Sequence, residues 1–443
     1  MVEIAREPIS ATDTPLSPRE QNLQRTARVL QIGAIAFGVF AALATLAAII
    51  AGIFSGGLFE TLAGLLLGRF AGPADTGVLV VILLCLMNLS ALLVQMVGVL
   101  AQEFWAPWVL WLTAFANIGL LIWLGYVPGI VAAGFAAFAG SIAIRDLGAF
   151  RINPLMLKEL RERMRGARAF IVMTVYLGLM SGFAVLLYLI ETSAGQTAGS
   201  SATGALGRNL FRGVVGLELL LIVFIAPAFT SGAVSSERER KTYELLQITL
   251  LPHQSFVIGK LQSALGYVLL LLLAAIPLQS IAFLFGGVSQ VELVLAFVIL
   301  AVTAVTLGTV GLFFSTIVDR TLTASVRAYG AIFVATLGVP IALQLGVDVL
   351  DQLLRGVTQD TPALQAAFIY TEALIASLNP VSAALQTQEL LVANASPGFN
   401  LERLRDGTAI PVAAPWISFT ILYLTTASVL IVLAVRGLRQ TEE

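Results

Sequence analysis

Long apolar runs separated by short charged clusters set the pattern of this chain. No charge lies between Arg28 and Glu60, and residues 29–54 form a first run; residues 78–101 form a second. Residues 104–144 carry no charge at all. As one helix they would reach about 60 Å, twice the ~30 Å hydrocarbon core of a bilayer, so Pro128-Gly129 reads as a turn between two spans. Residues 169–190, 213–234, 261–285 and 293–318 follow, the last two separated by the polar turn Gly286-Gly287-Val288-Ser289-Gln290. Residues 328–347 and 412–435 complete the set. The pattern predicts an all-α integral membrane protein of about ten transmembrane helices, both termini on one side.

Two stretches break this rhythm. Residues 191–212 are small and polar and read as a flexible outer loop. Residues 348–411 read as an outer helical segment with pieces around 348–357, 362–378 and 383–391, broken at Asn379-Pro380. The middle piece is apolar enough to dip into a membrane but, with Glu372 inside it, too short to span.

Composition agrees with lipid as the solvent. Hydrophobic residues make up 58% and charged residues 12% of the 443, roughly half the charge of a soluble chain. A formal net charge of −1 provides no field for nucleic acid. One cysteine, Cys85, and one histidine, His253, exclude a disulfide framework and most zinc or iron sites. Residues 1–28 form a polar tail without the layout of a cleaved signal, so the first span is expected to be retained. Short cytoplasmic loops collect Lys and Arg. Six of the 25 basic residues, Arg69, Arg208, Arg212, Arg355, Arg403 and Arg405, fall opposite the N-terminus, and the other 19 share its side. Both termini are therefore expected in the cytoplasm, with the chain in the cell inner (plasma) membrane.

Two charged segments on that side carry more information. Residues 153–166 start with Asn153 as an N-cap and Pro154 at the first helical position. Leu157, Leu160 and Met164 recur at helical spacing against Lys158, Arg161, Glu162 and Arg165, and Glu159 stands four before Arg163 as an ion pair. The segment reads as a flat interfacial helix or as a basic anchoring flank. Residues 236–247 join two spans. Ser236 and Glu239 have capping-box spacing, Glu237 with Lys241 and Arg240 with Glu244 are pairs four apart, and Leu245 and Leu246 supply an apolar edge. A helix of this kind is shaped to meet a soluble partner; a solvated connector has the same periodicity.

The run from Ala226-Pro227-Ala228 through Ser236-Glu237-Arg238-Glu239-Arg240-Lys241-Thr242-Tyr243-Glu244-Leu245-Leu246 resembles the signature of the type 2 ABC-transporter permeases. Leu251-Pro252, Gly259-Lys260-Leu261 and Asn153-Pro154 with Lys158-Glu159-Leu160-Arg161 match further blocks of that family in order. The resemblance covers Asn153 to the C-terminus. It implies a six-helix permease core over residues 149–443, with an elbow helix at 153–166, a coupling helix at 236–247 and outer helices at 348–411. Lys241 stands where a glycine is common. The four spans within residues 29–148 have no counterpart in the minimal core and form an extra module of open role.

The resemblance further implies a permease subunit, an exporter, working as a homodimer or heterodimer on two copies of a separate ATP-binding subunit. Glu237, Arg238, Glu239, Arg240, Thr242 and Glu244 would couple to that subunit, Asn153, Pro154, Lys158, Glu159 and Arg161 would form the elbow, and Pro227 would be a hinge. The sequence holds no Gly-x-x-x-x-Gly-Lys-[Ser/Thr] loop, so ATP and Mg would sit on the partner and this chain would bind no cofactor or metal. No Ser/His pair, aspartate pair or metal set falls within the spans, so no catalytic role is expected. Glu218, a carboxylate inside a span, is expected near the outer surface, snorkelling or locally paired rather than touching substrate. Cys85 reads as packing and His253 as a turn residue. A non-transporting membrane scaffold for a cytoplasmic partner is the competing class.

Overall fold

A computed structural model of the protein describes residues 18–54, 64–69, 74–145, 150, 153–193, 200–243, 252–358, 362–394, 398–404 and 409–440. In chain order these form α1 (Pro18–Phe54), α2 (Ala74–Leu100), α3 (Ala106–Leu124) and α4 (Pro128–Ile144). Then come the short α5 (Pro154–Met164), α6 (Ala167–Ser193), α7 (Ser200–Thr230) and the one-turn α8 (Ser235–Glu239). The remainder is α9 (His253–Leu284), α10 (Gln290–Ile317), α11 (Thr321–Phe333), a π-helical turn (Val334–Gly338) and α12 (Val339–Thr358). It closes with α13 (Pro362–Ala376), α14 (Pro380–Asn394), a hairpin of β1 (Phe399–Arg403) and β2 (Ala409–Ala413), and α15 (Pro415–Gln440). Among the described residues, nine helices are long and apolar enough to cross a membrane. This is a multi-pass, all-α membrane protein.

The first four helices close around Leu30, Phe37, Val81, Leu92, Leu110 and Tyr126. Ala132, Ala136, Ala139 and Gly140 line the buried face of α4, whose small side chains let its neighbours come close. One polar seam crosses this apolar group. The Asn88 and Asn117 amides exchange hydrogen bonds of 3.0 and 2.9 Å, so each satisfies the other away from water. Cys85 packs beside them, its sulfur 3.2 Å from the Tyr126 hydroxyl.

The second group packs α7, α9, α10 and α15 around Leu219, Ile222, Val268, Ile299, Leu300 and Phe419. Backbones touch where glycine leaves room. A Cβ on Gly207 would lie 2.1 Å from the Gly286 carbonyl oxygen, and one on Gly311 would lie 3.2 Å from the Pro227 backbone. α15 joins the two groups: Ala434, Val435 and Leu438 share a cluster with Val97 and Ala101 at the end of α2 and with Val257 at the start of α9.

Several expected boundaries move. The fourth expected span is α4, whose 17 residues reach only about 25 Å, short of the ~30 Å hydrocarbon core. The outer loop expected over 191–212 is helical from Ser200 onward, because Leu206, Leu210 and Phe211 pack into the core and need an ordered backbone. The ninth span is longer than expected, running Thr321–Leu354 through the π-helical turn. His253 opens α9 instead of sitting in a turn, since residues 255–261 are buried among Asn153, Val97, Ala101, Val234 and Ala434. The break at Asn379-Pro380 is present: Asn379 caps α14 by accepting from the Val381 amide at 2.8 Å, and α13 and α14 meet at 119°. The β1–β2 hairpin, pairing Phe399 with Ala413 and Arg403 with Ala409, was not expected.

Candidate functional site

The charged segments meet at one end of the bundle. α5 begins as its sequence predicts, with the Asn153 carboxamide accepting from the Leu155 amide at 3.0 Å and Pro154 in the first turn. Asn153 also donates 2.6 Å to the Ser255 carbonyl of α9, pressed against Gly259, where a Cβ would come within 2.7 Å of its nitrogen. Glycine at 259 is therefore what lets the helix start sit against α9. Lys158 and Arg161 lie exposed on the far side.

Lys260, on α9, holds this end together. It is 5% exposed, and its ammonium bridges Glu159 of α5 and Glu237 of α8, the latter at 2.9 Å. The Ser263 hydroxyl donates to the second Glu159 oxygen at 2.8 Å, and the Thr242 hydroxyl donates to the second Glu237 oxygen. A buried ammonium is tolerated only with such partners. The expected Glu159–Arg163 and Glu237–Lys241 pairs give way to this one, because a buried cation demands carboxylates more strongly than an exposed one does. Arg163 instead lies over the Phe229 ring, 5.6 Å from its centroid.

The described part of the coupling segment contains a chain reversal that was not expected. Helix α8 ends at Glu239, and the Thr242 amide donates to the Glu237 carbonyl at 2.9 Å while the Lys241 amide donates to the Arg238 carbonyl at 3.0 Å. These two bonds around a residue with positive φ are the Schellman stop. Lys241 occupies that left-handed position with φ 55°. The expected Ser236 capping box is absent: α8 follows directly on the end of α7, with the Ser236 amide bonded to the Gly232 carbonyl at 3.1 Å, so Glu239 turns elsewhere. It accepts from the Thr321 amide and hydroxyl, both at 2.9 Å, and so caps α11. Arg238 pairs with Asp319 at 3.0 Å. Arg240 and Lys241 are exposed. Glu244, with Leu245 and Leu246, lies outside the described residues.

Below this layer, Pro227 sits inside α7 and leaves the Val223 carbonyl without its helical donor. Glu218 is fully buried and paired locally, one of the two expected arrangements. It accepts from the Tyr176 hydroxyl of α6 at 3.3 Å and from the Gln279 amide of α9.

Sequence reasoning singled out the elbow and Glu-Arg-Glu residues but missed Lys260, Ser263, Asp319 and Thr321 as their partners. A lone lysine inside the apolar run after Gln254 was the available signal for Lys260. No group of three or more His, Cys, Asp or Glu among the described residues could hold a metal. Compared with known proteins, the chain matches no protein-family model and no curated protein.

Proposed function

We propose that this chain is the membrane-spanning permease subunit of an ATP-driven ABC transporter of the type 2 class, with its charged end in the cytoplasm. The observation that carries the reading is the Lys260 bridge. One buried ammonium links Glu159 of the elbow helix to Glu237 of the coupling segment, so a push on either displacement-sensitive element moves α9 as well. With Glu237, Arg238 and Glu239 engaged inside the chain, the exposed Arg240 and Lys241 form the contact with a separate ATP-hydrolysing subunit. ATP and Mg act there. Closure of two such subunits under a pair of permease chains would rock the helices between two packings, with Pro227 as the compliant point.

The test is reconstitution with a Walker-motif ATPase subunit that co-purifies with the full chain. The wild-type complex should show substrate-dependent ATP hydrolysis, and Arg240→Glu with Lys241→Glu should lose both the partner and the stimulation. A wild-type chain that binds the ATPase without altering its turnover is a scaffold, and the proposal is then wrong.

A further inference from the structure

An open groove of about 940 Å³ lies between α5, the first turns of α6, and the α7–α8 junction. Gly166, with φ 108°, makes the turn between α5 and α6 that forms one wall. Four cations, Arg163, Arg165, Arg240 and Lys260, and two carboxylates, Glu159 and Glu162, line it. Lys260 is held by Glu159 and by Glu237, while Glu159 and Glu162 also act on Arg163 and Glu237 on Arg240, so the four cations outnumber the three carboxylates around them by one. Among the described residues, no carboxylate forms an ion pair with Arg163, Arg165 or Arg240.

The floor is aromatic. Phe229 and Tyr267 meet edge to face at 5.2 Å, and the Tyr267 hydroxyl is satisfied by the Ala169 carbonyl at 2.9 Å. Arg163, which lines the groove, lies over Phe229 and makes a single long hydrogen bond, 3.4 Å to the Phe229 carbonyl, so four of its five donors are left for a ligand. Val172 of α6 lines the groove, and the exposed Val175 and Leu179, three and seven residues on, continue the same apolar face of that helix. Cationic forks at one end and an apolar track at the other match a phosphate head group carrying an acyl chain.

We propose that this groove holds the phosphate head group of an anionic phospholipid from the leaflet at the charged end of the bundle, with its acyl chain along α6. The site needs neither transport nor ATP; Arg240 is shared with the proposed ATPase contact, so lipid binding is read on the chain without that partner. Its test is native mass spectrometry of the full chain in detergent, titrated with phosphatidylglycerol, phosphatidylcholine or glycerol phosphate. Phosphatidylglycerol should be retained over phosphatidylcholine, and each of Arg163→Gln and Arg240→Gln should weaken it about fivefold, the ~1 kcal/mol of one surface cation. Arg163→Lys should lose less than Arg163→Gln, which separates charge from misfolding, and Arg436→Gln, outside the groove, should change nothing. Equal retention of phosphatidylcholine, or undiminished phosphatidylglycerol binding in both glutamine variants, overturns the proposal. Full competition by glycerol phosphate at equal concentration overturns the lipid assignment by showing that the phosphate alone is recognised.

Discussion

Lys241 occupies a backbone position that suits glycine. A left-handed non-glycine residue costs about 1–2 kcal/mol, and glycine returns part of that in the unfolded chain. Lys241→Gly should therefore raise stability by about 1 kcal/mol, and Lys241→Val should lower it, read from denaturant unfolding in detergent; the same midpoint for both would refute the strain. Lys260 works in the opposite sense. Lys260→Met leaves Glu159 and Glu237 facing each other without a cation and should cost about 3 kcal/mol. Adding Glu159→Gln and Glu237→Gln should recover most of it, and a triple variant as unstable as the single one would show that packing, not charge, is lost. Asn153-Pro154 was legible in the sequence because a cap is a local device. The Lys260 partners were not, since Glu159 and Ser263 lie 104 residues apart and meet only when α5 folds onto α9.

At the scale of elements, apolar runs located the spans but not their ends. A helix continues past its apolar run wherever flanking residues are buried by neighbours, as residues 255–260 are. Close approach between elements supplies a test. At Gly207 an added Cβ meets two carbonyl oxygens, of Gly286 at 2.1 Å and Ala282 at 2.9 Å, neither of which a rotamer change can move. At Gly204 it meets ordinary contacts of 3.7 Å and beyond. Gly207→Ala should cost about 2 kcal/mol by forcing α7 away from the α9–α10 turn, whereas Gly204→Ala should fall within about 0.5 kcal/mol of wild type. A melting comparison in one detergent decides this, and equal losses at the two sites would mean the contact is not as close as described.

At the scale of the molecule, the first four helices are joined to the rest at the charged end by a polar contact as well as the α15 cluster. The Ser255 hydroxyl donates to the Ala101 carbonyl at 2.9 Å, and Ser255 is the residue whose carbonyl holds the Asn153 side chain. Nothing local in residues 29–148 announces this joint, because its members come from three separated stretches. Glu103, 2% exposed in the turn after α2, sits beside it. Burial holds its carboxyl above the ordinary 4.5, with the neighbouring Gln262 and Asn153 side chains offsetting only part of the rise. A carboxyl whose folded value lies above its unfolded one binds its proton more tightly in the fold. Its ionisation costs nothing below 4.5, where both states are protonated, and weakens the fold as pH rises through the folded-state value. Glu103→Gln removes that dependence while keeping the shape, so the variant should gain on wild type in melting temperature from pH 4.5 upward and level off once the carboxyl is ionised in both states. A difference that stays constant across that range, or reverses, would show that Glu103 is ionised in the fold at no cost.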